Sequence, residues 1–288
     1  MKIVRVPAST SNLGAGFDCL GLALDLWLEV RLAEGAGPPT YSGTLSGIDP
    51  VEDIVNRLVG DLSKCDLHLE LNSDIPVARG LGASACATVA GIAVRSLARG
   101  QVPERDRVFH EAADIEGHPD NAGPAVYGGL VLSAGRPEKL TIASNLAVAL
   151  AVPERGVDTR AARAILPSDL PRDAAIAQAS SAAALLLGLT TGNGDLIAFG
   201  MDDHIATPVR KSFIKGYDLA VRAGRDAGAY GVTISGSGST LVAVAPKSAV
   251  ETVARAMVDA LAEAGNRAAR LTPEVSAAGM MVQDVTPS

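Results

Sequence analysis

The hydrophobic and polar positions divide the chain into short extended runs and longer alanine-rich runs. In the first half, alternating or concentrated β-forming residues predict strands over residues 3–8, 24–32, 67–71 and 126–133. Small and apolar residues predict a helix over 83–100, where Gly100 ends it, and Pro103 opens a second helix that runs to about residue 116.

The second half repeats this mixture of strands and helices, starting with the apolar strand 145–153. Helices are predicted around 158–166, 171–189, 217–228 and 247–264. Strands are predicted at 231–235 and 240–246, on either side of the turn SGSG, and near 268–273. Because the order has no strict βαβ rhythm, we predict an α+β fold rather than a doubly wound sheet. We expect a boundary near residue 145, which gives units 1–145 and 146–288.

Composition narrows the class of protein. The 288 residues are 48% hydrophobic, so a substantial core is expected, and the formal net charge is −7. Nucleic acids and anionic membranes both require concentrated positive charge, so neither is an expected partner. The three cysteines, Cys19, Cys65 and Cys86, have neither the spacing of a disulfide framework nor that of a metal site. This cysteine usage indicates a cytoplasmic protein.

Two segments bear on membrane targeting. The first residues turn to Gly and Asn within a dozen positions, so no signal peptide is expected. Residues 174–194 carry no charge and are long enough to span a bilayer, but polar residues dilute the apolar centre AAALLLGL. We predict a buried helix of a soluble protein there.

The stretch PVARGLGASACA, residues 76–87, places a glycine-rich turn directly before a predicted helix. Unpaired N–H groups and the positive end of the helix dipole attract phosphate at such a position, and glycines let the backbone approach it closely. The turn lacks the lysine of GxxxxGK[ST] and does not match GxGxxG, so a nucleotide site here would have another architecture. The alternative is an ordinary tight turn capped by Ser84.

Three further stretches carry candidate chemistry: PASTSNLGAGFDCLGLALDL (7–26), EGHPDNAGPAVYGG (116–129) and GVTISGSGSTLVAV (231–244). Together with the turn, and in this order, they resemble the GHMP kinases and, among these, the homoserine kinases. DTRAARAILP (158–167) and DDHIATPVR (202–210) are similar to later motifs of that family. The sequence departs from the family at Ala83, where a serine is usual, at SGSGST, where SGAGPT is usual, and in the spacing around His204.

The resemblance implies a two-domain fold and a reaction. The N-terminal domain would be an α/β unit like ribosomal protein S5, and the C-terminal domain a ferredoxin-like α+β unit. The implied activity is ATP-dependent phosphorylation of the side-chain hydroxyl of L-homoserine, a step toward threonine, with Mg²⁺ as the metal. Such a transfer requires positioning, a metal between the β- and γ-phosphates and positive charge near the γ-phosphate.

The resemblance also assigns the nucleotide and metal residues. Asn56 would lie near the adenine, and the triphosphate would lie over Pro76, Arg79, Gly80, Leu81, Gly82, Ala83, Ser84 and Ala85. Ser84 and Glu116 would be the Mg²⁺ ligands, since Mg²⁺ prefers oxygen donors. With Arg163, these two form the expected catalytic set. An N-cap role for Ser84 and an ordinary helix-end role for Glu116 remain the alternatives.

The substrate residues follow from the same resemblance. Asn12, Asp18 and His118 would contact the amino alcohol, while Arg163 and Arg210 would bind its carboxylate, a task that suits a planar guanidinium. Asp120 is expected to fix its loop, and no residue is assigned as a general base. For Asn12 and Asp18 the alternative is a plain turn-forming role.

Two other functions stay open at this stage. One is a kinase of the same fold that acts on mevalonate or another small hydroxy acid. The other is a non-catalytic protein that binds nucleotide or amino acid as a regulator. A homodimer is also left open.

Overall fold

The computed structural model describes residues 2–35, 37–45, 50–60 and 67–284. Cys65 lies outside these residues, and Cys19 and Cys86 carry free thiols. The described chain contains two sheets, one of seven strands and one of four, with helices packed on them. The predicted α+β class is confirmed.

The first sheet is built mainly from the N-terminal half. Its strands are β1 (Lys2–Asn12), β2 (Gly16–Glu34), β3 (Thr40–Gly43), β4 (Leu67–Ser73), β5 (Leu130–Leu132) and β6 (Glu138–Leu140). The long strand β2 pairs with β1 along most of its length, with β4 at its end and with β5 near its start. Residues 12–16 therefore connect the end of β1 to the start of β2.

Four helices accompany this sheet: α1 (Pro50–Val59), α2 (Ala83–Ala98), α3 (Arg105–Glu116) and α4 (Ala122–Tyr127). Apart from the exposed Ser84, α2 is buried from Ala83 to Val94, which agrees with its small apolar residues. The predicted strand 126–133 is too long, because Val126 and Tyr127 end α4. The left-handed backbone of the two glycines that follow separates α4 from β5.

The second sheet contains β7 (Leu146–Pro153), β8 (Gly231–Ile234), β9 (Leu241–Pro246) and β10 (Ala268–Leu271), in the order β10-β7-β9-β8. α9 (Tyr217–Asp226) and α10 (Val250–Glu263) pack on it around a second core that includes Ile214, Met257 and Leu261. The short helices α5 (Thr159–Ala164) and α8 (Thr207–Arg210) lie between these elements in the chain. α5 contains Arg163, and α8 contains Arg210.

The end of the chain returns to the first sheet. Strand β11 (Met281–Asp284) pairs antiparallel with β1, and Val275 forms a bridge with Leu24. A boundary near residue 145 stays a prediction, and the pairing adds that residues 281–284 belong with the first sheet. The sequence pattern did not indicate this strand.

The uncharged segment forms α6 (Arg172–Thr191) and is followed by α7 (Gly194–Gly200). By length and composition alone α6 could cross a membrane, and only 28% of its apolar window is buried. The expectation of a buried helix is therefore wrong for its outer face, where Ile176 and Leu187 are exposed. On the inner face, the buried Gln178 donates to the Ala15 carbonyl and accepts from the His204 amide. α6 thus supports the loop between β1 and β2.

Candidate active site

A cleft of about 660 Å³ runs between the glycine turn, the end of α3 and the segment around α5. Most of the residues that the sequence analysis singled out line it: Asn12, Asp18, Arg79, Gly80, Leu81, Gly82, Ala83, Ser84, Ala85, Glu116, His118, Arg163 and Arg210. Pro76 and Asn56 are not among its lining residues. The fold thus gathers candidate residues from both halves of the chain.

The glycine turn needs its glycines. Gly80 and Gly82 have φ values of 77° and 71°, in the left-handed region that other residues rarely adopt. A Cβ on Gly82 would lie 2.2 Å from Ser9 Oγ, and one on Gly80 would lie 2.2 Å from the Ser235 carbonyl oxygen. Gly82 is the N-cap residue of α2, and no side chain caps the helix. The first N–H groups of α2 therefore face the cleft without an intrahelical acceptor, as an anion site requires.

Arg79 holds the turn in place with its side chain. Nε donates to the Pro153 carbonyl at 2.9 Å, and Nη1 donates to the Val77 carbonyl at 2.9 Å. Nη2 donates to the carbonyl of Glu154, the residue after β7. The guanidinium thus points toward the end of the second sheet. Because carbonyl oxygens accept hydrogen bonds from all three of its nitrogens, Arg79 is poorly placed to contact a phosphate as expected.

The turn between β8 and β9 supports the same glycine turn. Ser235 Oγ lies 2.6 Å from the Gly80 carbonyl and 2.8 Å from Thr10 Oγ1. The Thr240 amide donates to the Arg79 carbonyl. The SGSGST motif therefore supports the glycine turn, a role that its sequence alone did not indicate.

Ser84 and Glu116 meet across two helices. Ser84 lies in the first turn of α2, Glu116 is the last residue of α3, and Ser84 Oγ donates to Glu116 Oε1 at 3.1 Å. Thr88, one helical turn after Ser84, donates to the same oxygen at 2.5 Å. Thr88 was not singled out by the sequence analysis. Together these side chains form an all-oxygen cluster beside the glycine turn.

Asp18 and Arg163 form a two-bond ion pair. Arg163 Nη1 and Nη2 donate to Asp18 Oδ2 and Oδ1, both at 2.9 Å, and these bonds raise the pKa of the guanidinium. Asp18 has φ 54°, and Asn12 has φ 70°. The Asn12 carboxamide oxygen accepts from the Asp18 amide at 3.0 Å, while its Nδ2 donates to the Gly236 carbonyl. Asn12 and Asp18, both predicted to bind substrate, thus share a hydrogen bond that stabilises their positive-φ backbone.

Arg210 is the buried cation of the cleft. It is only 4% exposed, and its Nε and Nη1 donate to the carbonyls of Ala162 and Gly236, both at 3.1 Å. Burial, followed by the nearby charge of Arg163, lowers its pKa. A guanidinium stays protonated under such conditions. Among the described residues, no carboxylate forms a hydrogen bond or an ion pair with Arg210, which makes it a candidate anion binder.

His118 and Asp120 form a second charged pair at 2.6 Å, between Nδ1 and Oδ1. Burial disfavours protonation of His118, but the hydrogen bond and charge of Asp120 outweigh this effect and raise the pKa of His118. Burial also disfavours ionisation of Asp120, yet the hydrogen bond from His118 holds the pKa of Asp120 below its usual value. His118 and Asp120 both line the cleft, but Asp120 is only 3% exposed, and its Oδ1 also accepts from the Asn121 amide at 3.0 Å. This geometry favours a histidine that can contact a ligand and an aspartate that fixes its loop.

A buried polar network supports this loop from the inside. Asn121 accepts from Ser9 Oγ at 2.8 Å and donates to Ser11 Oγ at 2.9 Å. Neither Asn121 nor the two serines were assigned roles from the sequence, although all three lie within its motifs. Their signal was present in PASTSN and HPDN, but a hydroxyl-rich pattern alone does not identify its partners.

The side chain of Asn56, which was predicted to lie near the adenine, does not line the cleft. Its Nδ2 donates to Tyr41 Oη at 3.0 Å, so the carboxamide is used by β3. Val51, Ile54 and Leu58 of the same helix line the cleft instead. An adenine next to α1 would therefore meet an apolar wall rather than an amide.

Comparisons with known proteins show which family the chain belongs to. Residues 51–129 match the GHMP kinases N terminal domain, and residues 181–272 match the GHMP kinases C terminal domain. A homoserine kinase from Parasynechococcus marenigrum is 37% identical over 284 residues, which cover 91% of this chain and 90% of that protein. The chain belongs to the homoserine kinase family. Membership in this family makes it a phosphotransferase that uses ATP.

Solved structures extend the likeness to three dimensions. A homoserine kinase structure from Cytophaga hutchinsonii superposes with a TM-score of 0.83 at 30% identity and covers 98% of this chain and 96% of its own. A mevalonate kinase from L. major superposes with a TM-score of 0.65 at 18% identity, covering 95% of this chain and 96% of its own. At that identity the mevalonate kinase shows a shared fold only.

Proposed function

We propose that this chain transfers the γ-phosphoryl group of ATP to the side-chain hydroxyl of L-homoserine, giving O-phospho-L-homoserine and ADP. The observation that carries the proposal is one cleft that joins three features. The first is the N-terminus of α2, which no side chain caps and which follows the glycine turn. The second is the oxygen cluster of Ser84, Thr88 and Glu116 beside that turn. The third is the group of opposite charges formed by Asp18, Arg163 of α5 and Arg210 of α8. The reaction needs each of them.

The glycine turn and α2 are the proposed phosphate site. The free N–H groups at Ala83, Ser84 and Ala85 would donate to phosphate oxygens, and the α2 dipole would favour their negative charge. Gly80 and Gly82 leave room for this approach. Arg79 would act by holding the turn rather than by contacting phosphate. Val51, Ile54 and Leu58 would cover the adenine.

Ser84 and Glu116 fit the proposed Mg²⁺. One carboxylate and one hydroxyl, next to a phosphate site, form the sparse oxygen donor set that Mg²⁺ uses when phosphates and water complete its shell. Among the described residues, no group of three or more His, Cys, Asp or Glu side chains could hold a metal ion. When bound, the metal would neutralise charge on the β- and γ-phosphates.

The charged groups at the other end fit an amino acid. Asp18 would accept hydrogen bonds from the ammonium group, while Arg163 and Arg210 would bind the carboxylate. His118 would contact the amino alcohol through the ring nitrogen that Asp120 does not use. Together these contacts would direct the hydroxyl toward the phosphate turn.

No residue is assigned as a general base. Asp18 is paired with Arg163, and Asp120 is buried beneath His118. The transition state of phosphoryl transfer is loose, so positioning and electrostatic stabilisation can carry most of the acceleration. We therefore attribute the rate to alignment by the cleft.

An ADP-release assay with homoserine, threonine, serine, mevalonate and shikimate tests the proposal. We expect turnover with homoserine well above the others, and a product with the mass of phosphohomoserine. An Arg222→Ala variant is a matched control, because this exposed arginine of α9 lies away from the cleft. Turnover with mevalonate alone, or with none of the five, would replace the proposal with another hydroxy-acid kinase or a binding protein. A cytoplasmic location and a homodimer remain part of this proposal.

A further inference from the structure

Glu116 occupies an unfavourable place on its helix. It is the last residue of α3, where the helix dipole presents its negative end, and no basic residue lies in that last turn. Gly117 follows in the left-handed conformation and ends the helix. The helix itself does not stabilise a carboxylate at this negative end, so the orientation of the Glu116 side chain depends on partners from other elements.

Those partners come from one face of α2. Ser84 and Thr88 are four residues apart and therefore lie on the same side of the helix, and both donate to Glu116 Oε1. Among the residues that the structure describes, none donates to Oε2 of this carboxylate. One oxygen is thus held by the protein while the other is left for a ligand.

The two hydroxyls are not equivalent. Ser84 is exposed to the cleft, and its bond is 3.1 Å long, so water and ligands compete for it. Thr88 is fully buried, and its bond is 2.5 Å long. Within α2, which the structure describes completely, Thr88 is the only buried residue with a hydroxyl. Its single proton goes to Glu116 and not back to the helix carbonyl that threonines often use.

We propose that Thr88 is a positioning residue that fixes the carboxylate of Glu116 for the metal–nucleotide complex. This inference rests on the proposed function of Glu116. Ser84 is free to turn toward the ligand, while the buried bond from Thr88 keeps the carboxylate in place throughout. Thr88 borders the cleft but is 0% exposed, so it would act through Glu116 rather than by contacting either substrate. Groups that orient metal ligands in this way typically change metal affinity or activity about 10- to 100-fold when removed.

The test compares Thr88→Val, which keeps the shape and removes the hydroxyl, with Thr88→Ser, which keeps the hydroxyl. Thr190→Val is the matched control, because this α6 threonine donates only to carbonyls of its own helix. Calorimetry measures ADP affinity with Mg²⁺ and with EDTA, and kinetics measure the Mg²⁺ dependence of turnover. We expect Thr88→Val to lose about tenfold or more in Mg·ADP affinity, while its ADP affinity in EDTA is unchanged. Thr88→Ser should show the wild-type Mg·ADP affinity and the wild-type Mg²⁺ dependence of turnover.

Two outcomes overturn the inference. One is a Thr88→Val protein whose Mg²⁺ dependence equals that of wild type. The other is an equal loss of ADP affinity with and without Mg²⁺, which would indicate a general packing role. If Thr88→Val does not fold, the comparison of Thr88→Ala with Thr88→Ser makes the same test of the hydroxyl. The calorimetric measurement does not require homoserine turnover, so failure of the proposed substrate would be recognised separately.

Discussion

The ion pair between Asp18 and Arg163 leads to a prediction about how the cleft distinguishes charges. Arg163→Ala removes the guanidinium, and Asp18→Asn removes the carboxylate charge but keeps its shape. The Arg163 side chain is 39% exposed and that of Asp18 is 31% exposed. Their ion pair therefore contributes only about 0–1 kcal/mol to the free energy of unfolding. Both variants should therefore remain folded, and any large loss of activity would report on substrate binding.

The expected loss follows from the charge that each residue would bind. Truncating one partner of a buried, hydrogen-bonded charge pair costs about 2–5 kcal/mol. Because Asp18 and Arg163 are partly exposed, we expect the lower part of this range, about 2–3 kcal/mol. This corresponds to roughly 30- to 150-fold in kcat/KM, while the KM for ATP changes little.

Three acceptors separate the two charges in an ADP-release assay: homoserine, homoserine methyl ester without the carboxylate, and 4-hydroxybutyrate without the ammonium group. Arg163→Ala should lose the full factor with homoserine and 4-hydroxybutyrate and much less with the ester. Asp18→Asn should lose it with homoserine and the ester and much less with 4-hydroxybutyrate. Equal losses with all three acceptors would mean that these residues serve the phosphate or the fold, and the assignment would be wrong.

Three further predictions concern the proposed metal ligand Glu116, the glycine turn and the pair formed by His118 and Asp120. Glu116→Gln should lower turnover by roughly 100-fold or more and leave ADP affinity in EDTA unchanged, because removing even a residue that only orients a metal ligand lowers metal affinity or activity about 10- to 100-fold. Near-normal turnover would mean that Glu116 has a structural role. Gly82→Ala should lower the urea midpoint and weaken ATP binding, because φ is 71° and the new Cβ would lie 2.2 Å from Ser9 Oγ; an unchanged midpoint would contradict the strain. The raised pKa of His118 means that its contribution to stability is complete below about pH 6.5 and is lost as pH rises through the folded-state pKa. The stability advantage of wild type over His118→Asn in urea titrations should therefore shrink above pH 6.5, and a constant difference would contradict the pairing with Asp120.

The sequence predicted best those features that depend on local chemistry. Gly80 and Gly82 bracket the turn because a left-handed backbone needs glycine, and the structure gives both residues that conformation. The helix after the turn was predicted over residues 83–100 from its small and apolar residues, and the structure has it at Ala83–Ala98. Ser84 and Glu116 were paired through a family resemblance, and the structure brings their side chains into contact.

Features that depend on distant contacts were not predictable in the same way. Thr88 reads as an ordinary residue of an alanine-rich helix, and only the packing of α2 against α3 gives its hydroxyl an acceptor. β11 is a short strand whose identity comes from its pairing with β1, almost the whole chain away. Arg79 was assigned to the triphosphate through the family resemblance, but its guanidinium donates to the carbonyls of Pro153 and Glu154 at the end of β7.

The cleft also shows why residue roles taken one at a time are incomplete. Asp18 and Arg163 were each expected to bind a group of the substrate, yet in the structure they bind each other. An amino acid that binds there would exchange one internal ion pair for two pairs with its own charges. A ligand with only one charge would break the internal pair and leave one side chain without a partner. Since an unpaired, partly buried charge is costly, the same contacts that recognise a zwitterion would select against simple acids and amines.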